Sequence, residues 1–418
     1  MRTTFFATGL VLALFTVACT DYTAEDPQVD GGNEQAAGPT FYEDVAPLLY
    51  DNCVTCHRDG GIAPFSLVTY EDAKSAAPRI AYQVENRLMP PWNVDNSGDC
   101  NTFQDARWLE DDEIATIAAW ADGDRAEGDP AAAPAVPEPA PGLSQIDAVA
   151  EMGESYTPGD LTNDYRCFVV DPGIAADTFL TAFEVVPGEP KIVHHMLLFA
   201  VKAADVQAAV DLDAADPGPG YQCFGGPVAP SSLVAVWAPG VTVYDYPEGT
   251  GLPIAANSQM ILQIHYHPVP GEGLADRTKV NLKLADTVDK PGVMTLVANT
   301  GLTLPPHQEN VASGTTATLP DWVGPISVWA AFPHMHTLGQ TLEVGITHDG
   351  RRQCAINVPN WRFEWQQGYN YTEPLLVSGG DEIDITCTYD TRSRETTTTW
   401  GEGTEDEMCL SFFYLTAY

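Results

Sequence analysis

The sequence predicts a multidomain protein: a small all-α domain followed by two all-β sandwiches. Three observations predict it. At 418 residues the chain is too long for one compact core, so two or three domains are expected. The run DPAAAPAVPEPAPG, with Pro130, Pro134, Pro137, Pro139 and Pro141, is a semi-extended linker that divides the chain. Texture changes across it, from helical spacing before to alternating or continuous apolar runs after.

Residues 1–19 (MRTTFFATGLVLALFTVAC) set Arg2 ahead of an apolar run from Phe5 to Val17, with small Ala18 before Cys19. That run is too short to span a bilayer and reads as an export signal. Cys19 at that place resembles the lipidation site of a bacterial lipoprotein. The expected location is the periplasmic or outer-surface side of a membrane, reached through the lipid anchor alone; the alternative is a plain secreted protein. Residues 20–38 read as a flexible polar tether, 39–128 as the all-α domain and 129–145 as the linker. Asp111 or Asp112 starts a helix that carries Ile114, Ile117 and Trp120 towards a core. Stretches such as TFLTAFEVV, SQMILQIHYH, ISVWAAF and CLSFFYLTAY then recur between Pro/Gly turns. They are too many for one small sandwich, and two domains, 146–287 and 288–418, accommodate them.

With 58 Asp and Glu against 19 Lys and Arg, the net charge is −39. No basic face is available for nucleic acid or an anionic membrane surface. The acidity serves solubility; docking of a basic redox partner or attraction of cations is the other reading. An exported chain also permits disulfides among its cysteines.

The chain has nine histidines, and seven fall in four motifs: CVTCH, VHHM, IHYHP and PHMH. Cys53-Val54-Thr55-Cys56-His57 fits C-x-x-C-H, in which two thiols add to the vinyl groups of haem c and the imidazole ligates iron. Both thioethers and the histidine must reach one porphyrin from a single turn, which is why the spacing matters. This makes the first domain cytochrome c-like, with a zinc pair or a chance match as the alternative. Met89 is the only methionine between this motif and the linker, and is the candidate sixth ligand; a core methionine or an open iron is the alternative.

The other motifs suit copper. His194 and His195 are neighbours, and on a regular strand neighbours point to opposite faces, so both can ligate only at a bend or bulge. In MILQIHYH, Gln263, His265 and His267 share the face opposite Met260, Leu262, Ile264 and Tyr266. His334 and His336 share a face with Phe332, and Met408 points away from Cys409. Neutral imidazoles suit copper or zinc, and a thioether favours Cu(I). No cysteine lies inside a copper-type histidine motif, so a blue-copper site is disfavoured, and H-E-x-x-H is absent. His307 and His348 have no motif around them and read as surface residues.

VHHM, LQIHY, HMHTLG and EDEMC, in this order, resemble the copper type II ascorbate-dependent monooxygenase family, of the dopamine β-hydroxylase and peptidylglycine α-hydroxylating monooxygenase type, over roughly residues 160–418. The resemblance implies two jelly-roll-type sandwiches facing each other across a solvent-filled cleft. It implies an electron-transfer copper on His194, His195 and His265, beside Gln263, and a catalytic copper on His334, His336 and Met408. It implies disulfides Cys167–Cys223 and Cys387–Cys409, leaving Cys100 and Cys354 open. His267 has no counterpart among the family's ligands. Where peptide-hydroxylating members hold a substrate carboxylate, this chain has Phe332, Leu410 and Phe412, so a small uncharged or aromatic substrate is expected. The function this implies is hydroxylation of a C–H bond with O2. Electrons pass from the haem to the first copper and on to the second, supplied by ascorbate or a redox protein. The competing reading is a non-catalytic copper and haem electron carrier, or a copper-binding surface lipoprotein. Met408 favours the enzyme, because a pure carrier has no need of two differently ligated coppers.

Overall fold

The computed structural model describes residues 38–159, 164–223, 225–401, 403 and 405–418. The export signal, Cys19 and residues 20–37 of the tether lie outside the described residues.

A π-helical turn, Phe41–Val45, leads into the helix Ala46–Asn52, and the helices Tyr70–Glu85 and Asp111–Asp122 follow. The second of these opens on a capping box: the Thr69 hydroxyl accepts from the Asp72 N–H, and the Asp72 carboxylate accepts from the Thr69 N–H. Its Ala73, Ala77, Ile80, Ala81 and Val84 recur at three- and four-residue spacing and bury one face. The last helix begins at Asp111 and buries Ile117 and Trp120, with Ile114 half-buried beside them. Phe41, Leu49 and Val54 complete this helical core.

The helical region is interrupted between Glu85 and Asp111. Residues 92–104 leave the helical core, and Val94 and Phe103 pack into the core of the C-terminal sandwich. Cys100 pairs there with Cys354, 254 residues away. This pairing resolves the two cysteines that the sequence left open.

Two sandwiches follow. In the first, a five-stranded sheet runs in the order Tyr221–Gln222, Asp164–Val170, Gln259–Tyr266, Val193–Val201, Ser232–Trp237. Its Phe168, Leu198 and Leu262 share a core with Leu180, Val280 and Leu282 of the strands Thr178–Val186 and Lys279–Ala285. The second packs the four-stranded sheet Val311–Thr318, Glu382–Tyr389, Gly339–His348, Arg351–Val358 against Lys290–Ala298, Leu410–Ala417, Ile326–His334, Tyr369–Val377. Lys290 and Pro291 run parallel to Thr250 and Gly251, which joins one sheet of each sandwich into a single nine-stranded sheet. Among the described residues no helix is long and apolar enough to cross a membrane.

Candidate metal centres

His194 and His195 lie on the strand Val193–Val201, where Val193 pairs with Tyr266 and His195 with His265. His194 is the extra residue of a bulge, the local bend that lets adjacent imidazoles reach one side. His195 Nδ1 lies 3.3 Å from Nδ1 of His194 and 3.3 Å from Nδ1 of His265. Imidazole nitrogens sit about 2.0–2.1 Å from a tetrahedral first-row ion such as zinc, which puts two of them roughly 3.3 Å apart. The trio therefore fits one metal ion. Tyr165, the cross-strand partner of His265, stacks on its ring at 4.1 Å and 3° and fixes its plane. Burial pushes the His194 pKa down to about 4 and that of His265 to about 2, with His195 also well below the usual imidazole value. All three are thus held in the unprotonated form that ligates a metal.

Gln263 is buried two residues before His265, and its side-chain N–H donates to the Cys223 carbonyl at 3.2 Å. Cys223 is bonded to Cys167. His267 falls beyond the end of the strand, is exposed, and stands outside the three-imidazole group, with its ring 6.3 Å from that of His194.

His334 ends the strand Ile326–His334, and the rings of His334 and His336 are 5.2 Å apart. His334 Nδ1–H donates to Gln366 Oε1 at 2.7 Å, and His336 Nδ1–H donates to the Asp406 carbonyl at 3.0 Å. With Nδ1 so engaged, Nε2 carries the lone pair of each neutral ring. Burial pushes the His334 pKa down to about 3 and lowers that of His336. Met408 lines the same cavity as both, while Cys409 turns into the core and pairs with Cys387. The Glu407 carboxylate is fully buried and accepts the backbone N–H groups of His336 (2.9 Å), Leu338 (2.6 Å) and Met408 (3.2 Å). It ties the His334–His336 turn to the methionine that faces it. Burial raises its pKa to about 7.

One cavity of about 400 Å³ is bordered by His195 of the first set and by His334, His336 and Met408 of the second. The first sandwich contributes His195, Leu197, Phe199 and Val236; the second contributes Leu296, Phe332, Leu410 and Phe412 beside His334, His336 and Met408. The ring of Phe363 lies 6.2 Å from that of His265 and 6.3 Å from that of His336, so it sits between the sets. The cleft implied by the resemblance is here a shared, mainly apolar cavity.

Phe363 belongs to the segment 361–367, which spacing and periodicity did not single out. Trp361 Nε1 donates to the His336 carbonyl at 3.0 Å, and Gln366 holds His334. Tyr165 and Glu407 were missed as well; only Glu407, next to Met408 in EDEMC, carried a signal. A Gln366→Leu substitution removes the group that orients His334. It is expected to weaken metal binding at that centre about 10–100-fold, read by competitive titration with a chelator.

In the helical region, Cys53 and Cys56 are the two cysteines outside disulfides among the described residues. His57 Nδ1–H donates to the Phe65 carbonyl at 3.0 Å, which leaves the lone pair of the neutral ring on Nε2. Met89 lines a cleft with Trp92, Arg107 and Trp108, and the charge of Arg107 acts on the Cys56 thiol. His307 and His348 lie at the surface beside Glu395 and Asp381, as expected of them.

Paired sandwiches that aim imidazoles and a thioether into one cavity suit a redox metal such as copper. The chain belongs to the copper type II ascorbate-dependent monooxygenase family: the profile of its N-terminal domain matches residues 152–272 and that of its C-terminal domain residues 289–418. It is similar to tyramine beta-hydroxylase of Caenorhabditis briggsae, 28% identical over 246 residues, covering 55% of this chain and 40% of that protein. It is also similar to dopamine beta-hydroxylase of Equus caballus, 27% identical over 286 residues, covering 62% and 44%. The chain thus spans less than half the length of these relatives. Among solved structures, the infectious bursal disease virus VP2 subviral particle is similar at 10% identity and a TM-score of 0.18, covering 67% of this chain and 74% of that one, a likeness too slight to carry an argument.

Proposed function

We propose that this protein is an exported copper-dependent monooxygenase that hydroxylates a C–H bond of a small uncharged, apolar or aromatic substrate with O2. Cys53, Cys56, His57 and Met89 would hold a c-type haem, His194, His195 and His265 an electron-transfer copper, and His334, His336 and Met408 a catalytic copper, so that electrons would pass in that order. When bound, these groups supply one-electron redox chemistry and the activation of dioxygen. The observation that carries the reading is the cavity shared by His195 of the first set and by His334, His336 and Met408 of the second. Its walls, from Leu197 and Phe199 to Phe332 and Phe412, hold an apolar substrate against the Met408 side and exclude water. Apart from the imidazoles of His195, His334 and His336, no acidic or basic side chain is among its described wall residues. A charged substrate would lose its hydration there without gaining a partner.

The haem reading rests on Cys53, Cys56 and His57, with Met89 as sixth ligand. The free thiols beside an oriented imidazole support it, while the other six described cysteines are consumed in disulfides. Those disulfides fit an oxidising compartment, and hence export. In this reading residues 39–128 form the haem domain, 129–145 the linker, and 146–287 and 288–418 the two copper domains, with Cys19 as lipid anchor.

Replacing Met408 with alanine tests the assignment. Copper-loaded protein is supplied with ascorbate, O2 and a panel of alkyl-aromatic compounds, each offered also in amine- and carboxylate-bearing form. The native protein is expected to incorporate labelled oxygen into the uncharged compounds, and the variant to lose this while its haem is reduced as before. Undiminished turnover in the variant would show that Met408 does not belong to the catalytic centre, whereas no turnover by the native protein beside normal haem reduction would support a non-catalytic carrier.

A further inference from the structure

We propose that Arg107, with the indole N–H groups of Trp92 and Trp108, forms a carboxylate-binding cradle filled by the two propionate groups of the haem. The inference rests on the haem reading above and adds to it the part of the chain that holds the haem's anionic edge.

Arg107 is a cation without an anion. Its guanidinium is withdrawn from solvent, and this desolvation lowers its pKa. Nη2 donates to Gln367 Oε1 at 2.8 Å, but Nε is buried with no acceptor. Among the described residues no carboxylate lies within ion-pair distance; Asp105, whose charge reaches Arg107 through space, is exposed. A chain with 58 acidic side chains against 19 basic ones does not lack candidates for a partner. A buried charge held by one neutral amide is costly unless an anion completes it.

The surroundings repeat the pattern. Eight buried side-chain polar atoms among the described residues have no partner, and three of them, Trp92 Nε1, Arg107 Nε and Trp108 Nε1, belong to residues lining one cleft. All three are donors. Native proteins leave few such groups unsatisfied, and a cluster of one sign points to an acceptor brought by a bound group. Met89, the proposed iron ligand, lines the same cleft, and Arg107 acts electrostatically on Cys56 of the attachment motif. A haem fixed at Cys53, Cys56 and His57 brings two carboxylates into this neighbourhood.

The cradle is also braced from the C-terminal sandwich. Gln367, which holds Arg107, donates from Nε2 to the Pro91 carbonyl at 3.0 Å and so also holds the segment that carries Met89. Its neighbour Gln366 holds His334. A side chain of a copper-bearing sandwich thus stands directly behind the group assigned to the propionates.

The test uses full-length protein matured with haem, whose covalent attachment is read by intact mass and the pyridine haemochrome spectrum. Arg107→Gln is expected to keep its haem but show a lower midpoint potential, because a cation near the haem favours the reduced iron. The propionate-bending band in the resonance Raman spectrum should shift in Arg107→Gln and in Trp108→Phe. Arg107→Lys, which keeps the charge but loses the fork, should retain most of the potential while shifting the band, and it serves where the glutamine variant does not fold. Haem present with unchanged potential and unchanged band in these variants overturns the cradle alone. So does a native potential that moves on adding acetate or inorganic phosphate, which would show a free anion in the site. Absence of covalent haem overturns the haem reading itself, and the cradle with it.

Discussion

A His195→Ala variant is expected to bind a single copper ion per chain and to lose hydroxylation. His195 is the middle of the trio: its Nδ1 lies 3.3 Å from both of the others, and its removal leaves two imidazoles on opposite sides of a gap. Even losing a group that only orients a metal ligand costs about 10–100-fold, so losing a ligand should lower turnover by at least about two orders of magnitude. The second centre should be untouched, because His334, His336 and Met408 are positioned by Gln366, the Asp406 carbonyl and Glu407 of the other sandwich. The bulge should persist too, since pairing of Val193 with Tyr266 and of Met196 with Ile264 flanks it. His267→Ala is the matched control. That ring is exposed and outside the trio, so both coppers and activity should survive. Metal analysis and electron paramagnetic resonance distinguish the outcomes. Two coppers retained in His195→Ala, or one lost in His267→Ala, would show that the trio is wrongly drawn.

The contrast between these histidines marks how far the sequence was legible. Alternation in MILQIHYH put His265 and His267 on one face, and that holds only while the chain remains a strand; it ends at Tyr266, one residue too soon for His267. The need for a bulge at His194 followed from the two-residue period of a strand, and a bulge is there. Helix boundaries were legible for the same local reason, as at Asp111, where an acidic first turn precedes an apolar stripe. Contacts made by loops were not. Gln366, Phe363 and Trp361 reach the metal centres from an irregular segment with no period to betray which side chains turn inward. The docking of residues 92–104 onto the C-terminal sandwich was equally hidden, because Val94 and Phe103 are isolated apolar residues whose partners lie more than two hundred positions away.

That long-range docking supports the second prediction: losing Cys100–Cys354 should destabilise the chain more than losing Cys387–Cys409. A disulfide acts largely by restricting the unfolded chain, and its effect grows with the length of the loop it closes. At a sequence separation of 254 for Cys100 and Cys354, the chain-entropy relation gives about 5.5 kcal/mol; at 22 for Cys387 and Cys409, about 3 kcal/mol. In the folded state the long bridge is not alone. Asn101 donates from its side chain to the carbonyls of Cys354 (2.9 Å) and Ala355 (2.8 Å), and the Gln104 N–H donates to the Asn370 carbonyl at 2.8 Å. Serine at positions 100 and 354 should therefore leave the segment docked and both copper sites intact, with the loss appearing in the unfolding midpoint. Serine at 387 and 409 removes a bridge that is fully buried beside Met408, and should disturb the second copper more than the stability. Urea unfolding of the two double variants under oxidising conditions, with copper content measured on each, separates these effects. The reverse order of stabilities would mean that packing around Cys409, rather than loop closure, sets the strength of the fold.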